Sequence, residues 1–214
     1  KNKLKGINGN ISLSAGTGNA HNASAGLSLR NAKLNIFGSY SLRYYEGERG
    51  FESHLNNSIN DSNFILEQDR NGTDLMINHT ARVGSDFYIK DRNTLGFVLT
   101  ATIGDRERFG DLNNDLFDEN AVLDKQWIRS SFDPSSNEGF DANINYKLDF
   151  LKEKGNFSIN ATQSAGKSKV EGFYLEDYIL DNSAFDLRHD LNQRLENDSK
   201  KEVTTLQTDV IRIL

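Results

Sequence analysis

Oxygen-bearing side chains crowd one stretch of this sequence: Asp111, Asn113, Asn114, Asp115, Asp118, Glu119 and Asn120. Carboxylates and amides in such density are the ligand set that calcium prefers. The spacing of an EF-hand is not met, because the sixth position of the loop is Leu116 where a glycine must turn and the twelfth is Val122 where a bidentate Glu must close. A solvated acidic loop is therefore the favoured reading and metal ligation the lesser one. Glu138 with Asp141, and Asp177 with Asp181, are carboxylate pairs of the kind glycosidases use, but polar surface segments generate many such pairs. His21, His54, His79 and His189 have no spacing that would bring two onto one zinc or one beside a nucleophile. Gly166-Lys167-Ser168 matches only the end of a phosphate loop, without its first glycine or its strand-to-helix setting. Cysteine is absent, which excludes disulfides, thiolate metal sites and a cysteine nucleophile. These residues predict no enzyme, no cofactor and no resident metal. The chemistry left is recognition: Trp127, Phe132, Phe173, Tyr174 and Tyr178 lie in polar segments where they could stack on a ligand or on one another.

The segments that must hold these residues alternate apolar and polar with period two. From Leu95 to Ile103, Leu95, Phe97, Leu99, Ala101 and Ile103 point one way and Gly96, Val98, Thr100 and Thr102 the other, as strand geometry requires. The same pattern runs from Gly6 to Ala15, from Ala23 to Leu29, from Leu34 to Tyr44, from Leu75 to Ile89, from Phe140 to Leu148 and from Phe157 to Ala161. Phe37 and Tyr45 interrupt the polar side of the third strand. Val203 to Leu214 reads as the start of an eighth strand. Short turns are expected at Gly16–Asn19, Arg30–Lys33, Lys90–Asn93 and Leu151–Gly155. Long polar loops are expected at Glu46–Asn71, Gly104–Asn137 and Gly166–Lys200, of which the second holds the single Trp and the single Pro.

Several of these alternations are longer than the ~5–6 residues usual in soluble sheets, and a tilted strand of roughly 9–11 residues spans a bilayer. Short turns alternating with long segments match periplasmic turns and extracellular loops. The expected fold is thus all-β, an antiparallel up-and-down transmembrane β-barrel, with about eight strands of a larger barrel in this chain. A soluble β-sandwich is the alternative. The 214 residues are 36% hydrophobic with net charge −6, and the mean hydropathy is −0.64. A barrel hides from such averages because only every second strand residue meets lipid. No apolar run is long enough for a transmembrane helix. The acidic balance, with a pI of about 5.3, argues against a nucleic-acid partner, which needs a dense basic face. A targeting segment is expected to precede Lys1.

Leu4-Lys5-Gly6-Ile7-Asn8-Gly9-Asn10-Ile11-Ser12-Leu13-Ser14-Ala15-Gly16 resembles the first barrel strand of TonB-dependent receptors of the Bacteroidota type. Arg30-Asn31-Ala32-Lys33-Leu34-Asn35-Ile36-Phe37-Gly38-Ser39-Tyr40-Ser41, Asp91-Arg92-Asn93-Thr94-Leu95-Gly96-Phe97 and Leu206-Gln207-Thr208-Asp209 are similar to later turns and strands of that family. The resemblance implies that residues 1–214 are the N-terminal part of a receptor barrel in the bacterial outer membrane, following a plug. Such barrels have about twenty-two strands and a plugged lumen. Its implied partners are outer-membrane lipid, the plug and remaining strands that this chain lacks, a TonB-type energy-transducing complex and a surface lipoprotein. Its implied role is energy-coupled uptake of a large ligand, whether siderophore, vitamin, glycan or peptide. The alternative is a plugless surface barrel or adhesin that binds polysaccharide through its loops.

Overall fold

The computed structural model describes residues 5–59, 62–89, 92–150, 155–181 and 191–212. They form eight strands: β1 (Gly6–Gly16), β2 (Ala20–Arg30), β3 (Leu34–Ile59), β4 (Ser62–Ile89), β5 (Asn93–Phe117), β6 (Leu123–Phe150), β7 (Gly155–Asp181) and β8 (Leu191–Arg212). Each strand pairs antiparallel with the next in one sheet of order β1-β2-β3-β4-β5-β6-β7-β8. The protein is therefore an all-β, up-and-down meander. Among the described residues there is no helix, and β1 and β8 are not paired with each other, so the sheet is open.

Turn chemistry accounts for the sharp reversals. Gly18 and Asn19 adopt φ of 76° and 53° between β1 and β2, a conformation open to glycine and tolerated by asparagine. Between β2 and β3 the Asn31 Oδ1 accepts the backbone N–H groups of Lys33 and Leu34, both at 2.8 Å. Between β5 and β6 Asp118 Oδ1 accepts the N–H groups of Asn120 (2.9 Å) and Val122 (2.8 Å) while Ala121 takes φ of 60°. Lys90 and Asp91, and residues 151–154, lie outside the described residues.

Over their described residues the three long polar segments are strands, not loops. β3 and β4 pair without interruption from Leu34↔Phe87 to Ile59↔Ser62, β5 continues to Phe117 and β6 begins at Leu123, and β7 and β8 carry the ladder to Glu176↔Leu191. The eighth strand accordingly starts at Leu191 rather than Val203. Backbone ladders need no apolar side chains, and Asn, Asp and Gly are merely disfavoured in strands. Once neither face has to meet a hydrophobic surface, the alternation vanishes while the hydrogen bonding persists. Strands of 25–28 residues run about 80–95 Å.

The sheet is a single layer. The side that carries Leu99 (the Leu99 face) presents Ile7, Ile11, Leu27, Ile36, Val83, Leu95, Phe97, Ile144 and Val210, all exposed. No hydrophobic residue is buried among the described residues, so there is no second sheet and no sandwich core. The side that carries Thr100 (the Thr100 face) is hydrogen-bonded among polar groups in the same half. Ser28 Oγ donates to Asn35 Oδ1 (2.9 Å), Asn35 to Asp86 (3.1 Å), and Asn143 to both Asn160 (2.8 Å) and Thr162 (2.7 Å). Phe37 breaks this polarity for a packing reason: its ring covers Gly84, where an added Cβ would collide with it, and Arg82 lies 5.8 Å from the ring centroid.

Candidate functional site

Register decides which residues meet beyond the apolar part of the sheet. On the Thr100 face one cross-strand row runs Arg49, Gly72, Gly110, Ser131, Tyr174 and Gln193. The next row toward the far hairpins runs Phe51, Arg70, Leu112, Arg129 and Glu176, and the row on the other side runs Gly47, Asp74, Arg108 and Asp133. A floor of small residues is thus ringed by Arg49, Arg70, Arg108, Arg129 and Tyr174. The backbones crowd together at this floor, since a Cβ on Gly72 would stand 3.0 Å from the Gly110 Cα, and a Cβ on Gly110 would stand 3.5 Å from Arg70 Nε.

The charges here are partly paired. Asp74 is the main anion, with its side chain only 7% exposed. Arg106 Nε donates to its Oδ1 at 2.7 Å, Arg106 also bonds Oδ2, and Arg49 lies 3.7 Å away. Hydrogen bonding from the Arg106 guanidinium holds the Asp74 carboxyl below the usual carboxylate range, with Arg108 and Arg49 contributing further positive charge. Arg129 sits 4.7 Å from the Tyr174 ring centroid and 3.6 Å from Glu176, a cation–π contact combined with an ion pair. The Tyr174 hydroxyl donates to Asp133 Oδ1 at 2.7 Å, and this anion raises its pKa. Arg108 Nε is buried without a hydrogen-bond partner.

Over β3 to β5 charge is largely sorted by face, with Asp74 and Asp86 the acidic exceptions on the Thr100 face. Glu46, Glu48, Glu52, Glu67, Asp69, Asp105, Glu107, Asp111 and Asp115 share the Leu99 face, whereas Arg43, Arg49, Arg70, Arg82, Arg106, Arg108 and Arg129 share the Thr100 face. A chain of net charge −6 therefore presents an arginine-rich surface on one side.

The five aromatic candidates are divided between the faces. Trp127 and Tyr178 pair across β6 and β7 with ring centroids 6.0 Å apart on the Thr100 face, next to Arg129 and Tyr174. Phe132 and Phe173 lie on the Leu99 face in a ladder that begins at Phe109, with centroids 4.6 Å and then 6.0 Å apart, and Arg194 stands 5.6 Å from the Phe173 ring. This ladder borders a transverse depression of about 940 Å³ that reaches from Glu48 to Arg194.

The acidic stretch is not a loop around an ion. Asp111, Asn113 and Asp115 lie along β5 on the Leu99 face, where Ser130 Oγ donates to Asp111 (2.7 Å) and Gln126 Nε2 to Asp115 (2.8 Å). Asn114 faces the other way and is fully buried between Gln68 and the Leu112 and Trp127 carbonyls. Asp118 is used by its turn. No group of three His, Asp or Glu that could hold a metal ion occurs among the described residues. Glu138 and Asp141 fall on opposite faces, and Gly166-Lys167-Ser168 lies inside β7 rather than at a helix start. The arginine ring was not legible in the sequence because all its members fall in segments read as loops, where parity carries no meaning. Within continuous strands that parity would have been the signal.

No protein-family model matches this chain, and no curated protein is significantly similar to it.

Proposed function

We propose that this chain forms part of the wall of an outer-membrane β-barrel receptor of the TonB-dependent kind, engaged in energy-coupled uptake of a large ligand. The observation that carries this reading is the inverted distribution of apolar side chains: every strand contributes to one exposed apolar surface, and none buries a core residue. A single sheet with such a face cannot rest in water, and in lipid its backbone groups are satisfied by the ladder. Ile11, Leu27, Leu29, Ile36, Tyr40 and Val83 line a shallow depression of about 830 Å³ on this face, a surface suited to acyl chains. Within the apolar half of the Leu99 face polar groups meet one another, Thr204 donating to Gln163 and the Tyr40 hydroxyl lying 2.7 Å from His79 Nδ1, which offsets the cost of those groups in lipid.

In this reading β1 and β8 pair with further strands, the apolar halves cross the membrane, and the distal halves of β3 to β8 project from the cell with the Thr100 face toward the lumen. The Asn120 turn lies outside and the Asn31 turn in the periplasm. Because the chain has no cysteine, single-cysteine variants report the topology directly. In cells exporting the protein, Asn120→Cys should react with a membrane-impermeant maleimide in intact cells, and Asn31→Cys only after permeabilisation. Equal labelling of both in intact cells would overturn the reading.

A further inference from the structure

We infer that the arginine ring on the Thr100 face is a binding site for a multiply charged oxyanion, a ligand bearing several carboxylate or phosphate groups. The inference rests on the receptor reading for its biological role and narrows the ligand class, although the binding itself is a property of this face in any setting.

Three observations converge. Small residues, Gly72, Gly110 and Ser131, make a low floor between the rows that carry Arg49, Arg70, Arg108 and Arg129, and Arg70 reaches over it, its Nε 3.5 Å from where a Cβ on Gly110 would stand. The carboxylates of this region are already committed: Asp74 to Arg106 and Arg49, Asp133 to the Tyr174 hydroxyl, Glu176 to Arg129. Arg70 and Arg108 then have no carboxylate partner among the described residues, and Arg108 Nε is buried and unbonded. A buried donor without an acceptor is costly, and an incoming oxyanion removes that cost. Guanidinium groups match carboxylate and phosphate oxygens in bidentate fashion.

The spacing defines the ligand further. Arg49 and Arg129 lie on β3 and β6, three inter-strand steps apart, or about 14 Å. One small anion cannot reach both. An acidic oligomer or a polyphosphate of comparable length can, with its sugar or linker lying against Tyr174 and Trp127. Repulsion among the arginines discriminates against cations and leaves neutral oligomers without compensation for desolvating the charges.

Trp127, the single tryptophan, lies two residues from Arg129 on the same face and supplies the readout. The whole chain, folded in detergent micelles and checked by its β-sheet circular dichroism, is titrated with trigalacturonate, with inorganic tripolyphosphate and with neutral maltotriose. Saturable change in Trp127 emission is expected with at least one anion and not with maltotriose. Whichever anion binds identifies the source as sugar acid or phosphate. Arg70→Gln combined with Arg108→Gln should weaken that binding at least tenfold, while Arg30→Gln, on the same face but at the opposite end of the sheet, should leave it unchanged. The inference is overturned if neither anion binds the folded chain, if maltotriose binds equally well, or if Arg30→Gln weakens binding as much as the paired variant. Loss of binding with the cysteine topology intact rejects this inference alone, and retained binding with a failed topology rejects the receptor reading alone.

Discussion

Replacing Leu99 by arginine tests the membrane reading at its most sensitive point. Leu99 is the middle of the five apolar positions from Leu95 to Ile103 on β5, opposite Val83 of β4 and Ala142 of β6. It is four residues from either end of that run, about 13 Å along the strand, which places it near the centre of a lipid-facing band about 25 Å tall. Arginine at such a depth costs about 2–4 kcal/mol, a loss of roughly thirty- to several-hundred-fold in the folding equilibrium. Its neighbour Thr100 provides the internal control. Thr100 pairs with Arg82 on one side and Asp141 on the other, so Thr100→Arg gains one unfavourable and one favourable charge pair. Each such pair contributes about 0.2–1 kcal/mol, and the net change should stay within about 1 kcal/mol. Urea unfolding of the protein folded into phospholipid vesicles measures both, with Leu99→Ala to separate the lost side chain from the added charge. Equal destabilisation by the two arginines, or a larger effect at Thr100, would refute the assignment of the Leu99 face to lipid.

Asp74→Asn should cost about 1–3 kcal/mol through the loss of charge-assisted hydrogen bonds and should also change the pH dependence of stability. The folded carboxyl is held below its ordinary value, so its contribution is fully present above about pH 4 and is lost as pH falls through the folded pKa. Acid unfolding followed by circular dichroism should be less steep in the variant, and an unchanged profile would reject the Asp74–Arg106 pair as a contributor. Gly84→Ala should destabilise by about 1–3 kcal/mol by overpacking, since its Cβ would meet the Phe37 ring and lie 2.8 Å from the Phe97 carbonyl oxygen. Adding Phe37→Leu should recover part of that loss, and strict additivity of the two changes would mean that the ring does not cover Gly84.

How far the sequence could be read depended on what each face had to meet. Period-two alternation from Leu34 to Tyr44, from Leu75 to Ile89 and from Leu95 to Ile103 identified strands, their direction and their facing, because a surface that presents one apolar side imposes a two-residue rule on every side chain. The turns at Gly18–Asn19 and Asn31 were equally legible, since positive φ and side-chain acceptors demand those residue types. The distal halves of β3 to β8 were not. There both faces are polar, the two-residue rule has nothing to enforce it, and Asn, Asp, Gly and Ser read as loop although their backbones continue the cross-strand ladder. Only the register of the folded sheet places Arg49, Arg70, Arg108 and Arg129 around Gly72 and Gly110, joins Phe109 to Phe132 and Phe173, and sends Trp127 and Tyr178 to the opposite side. Those residues are up to some eighty positions apart in the chain. Their adjacency is a property of cross-strand pairing, which composition and local pattern do not encode.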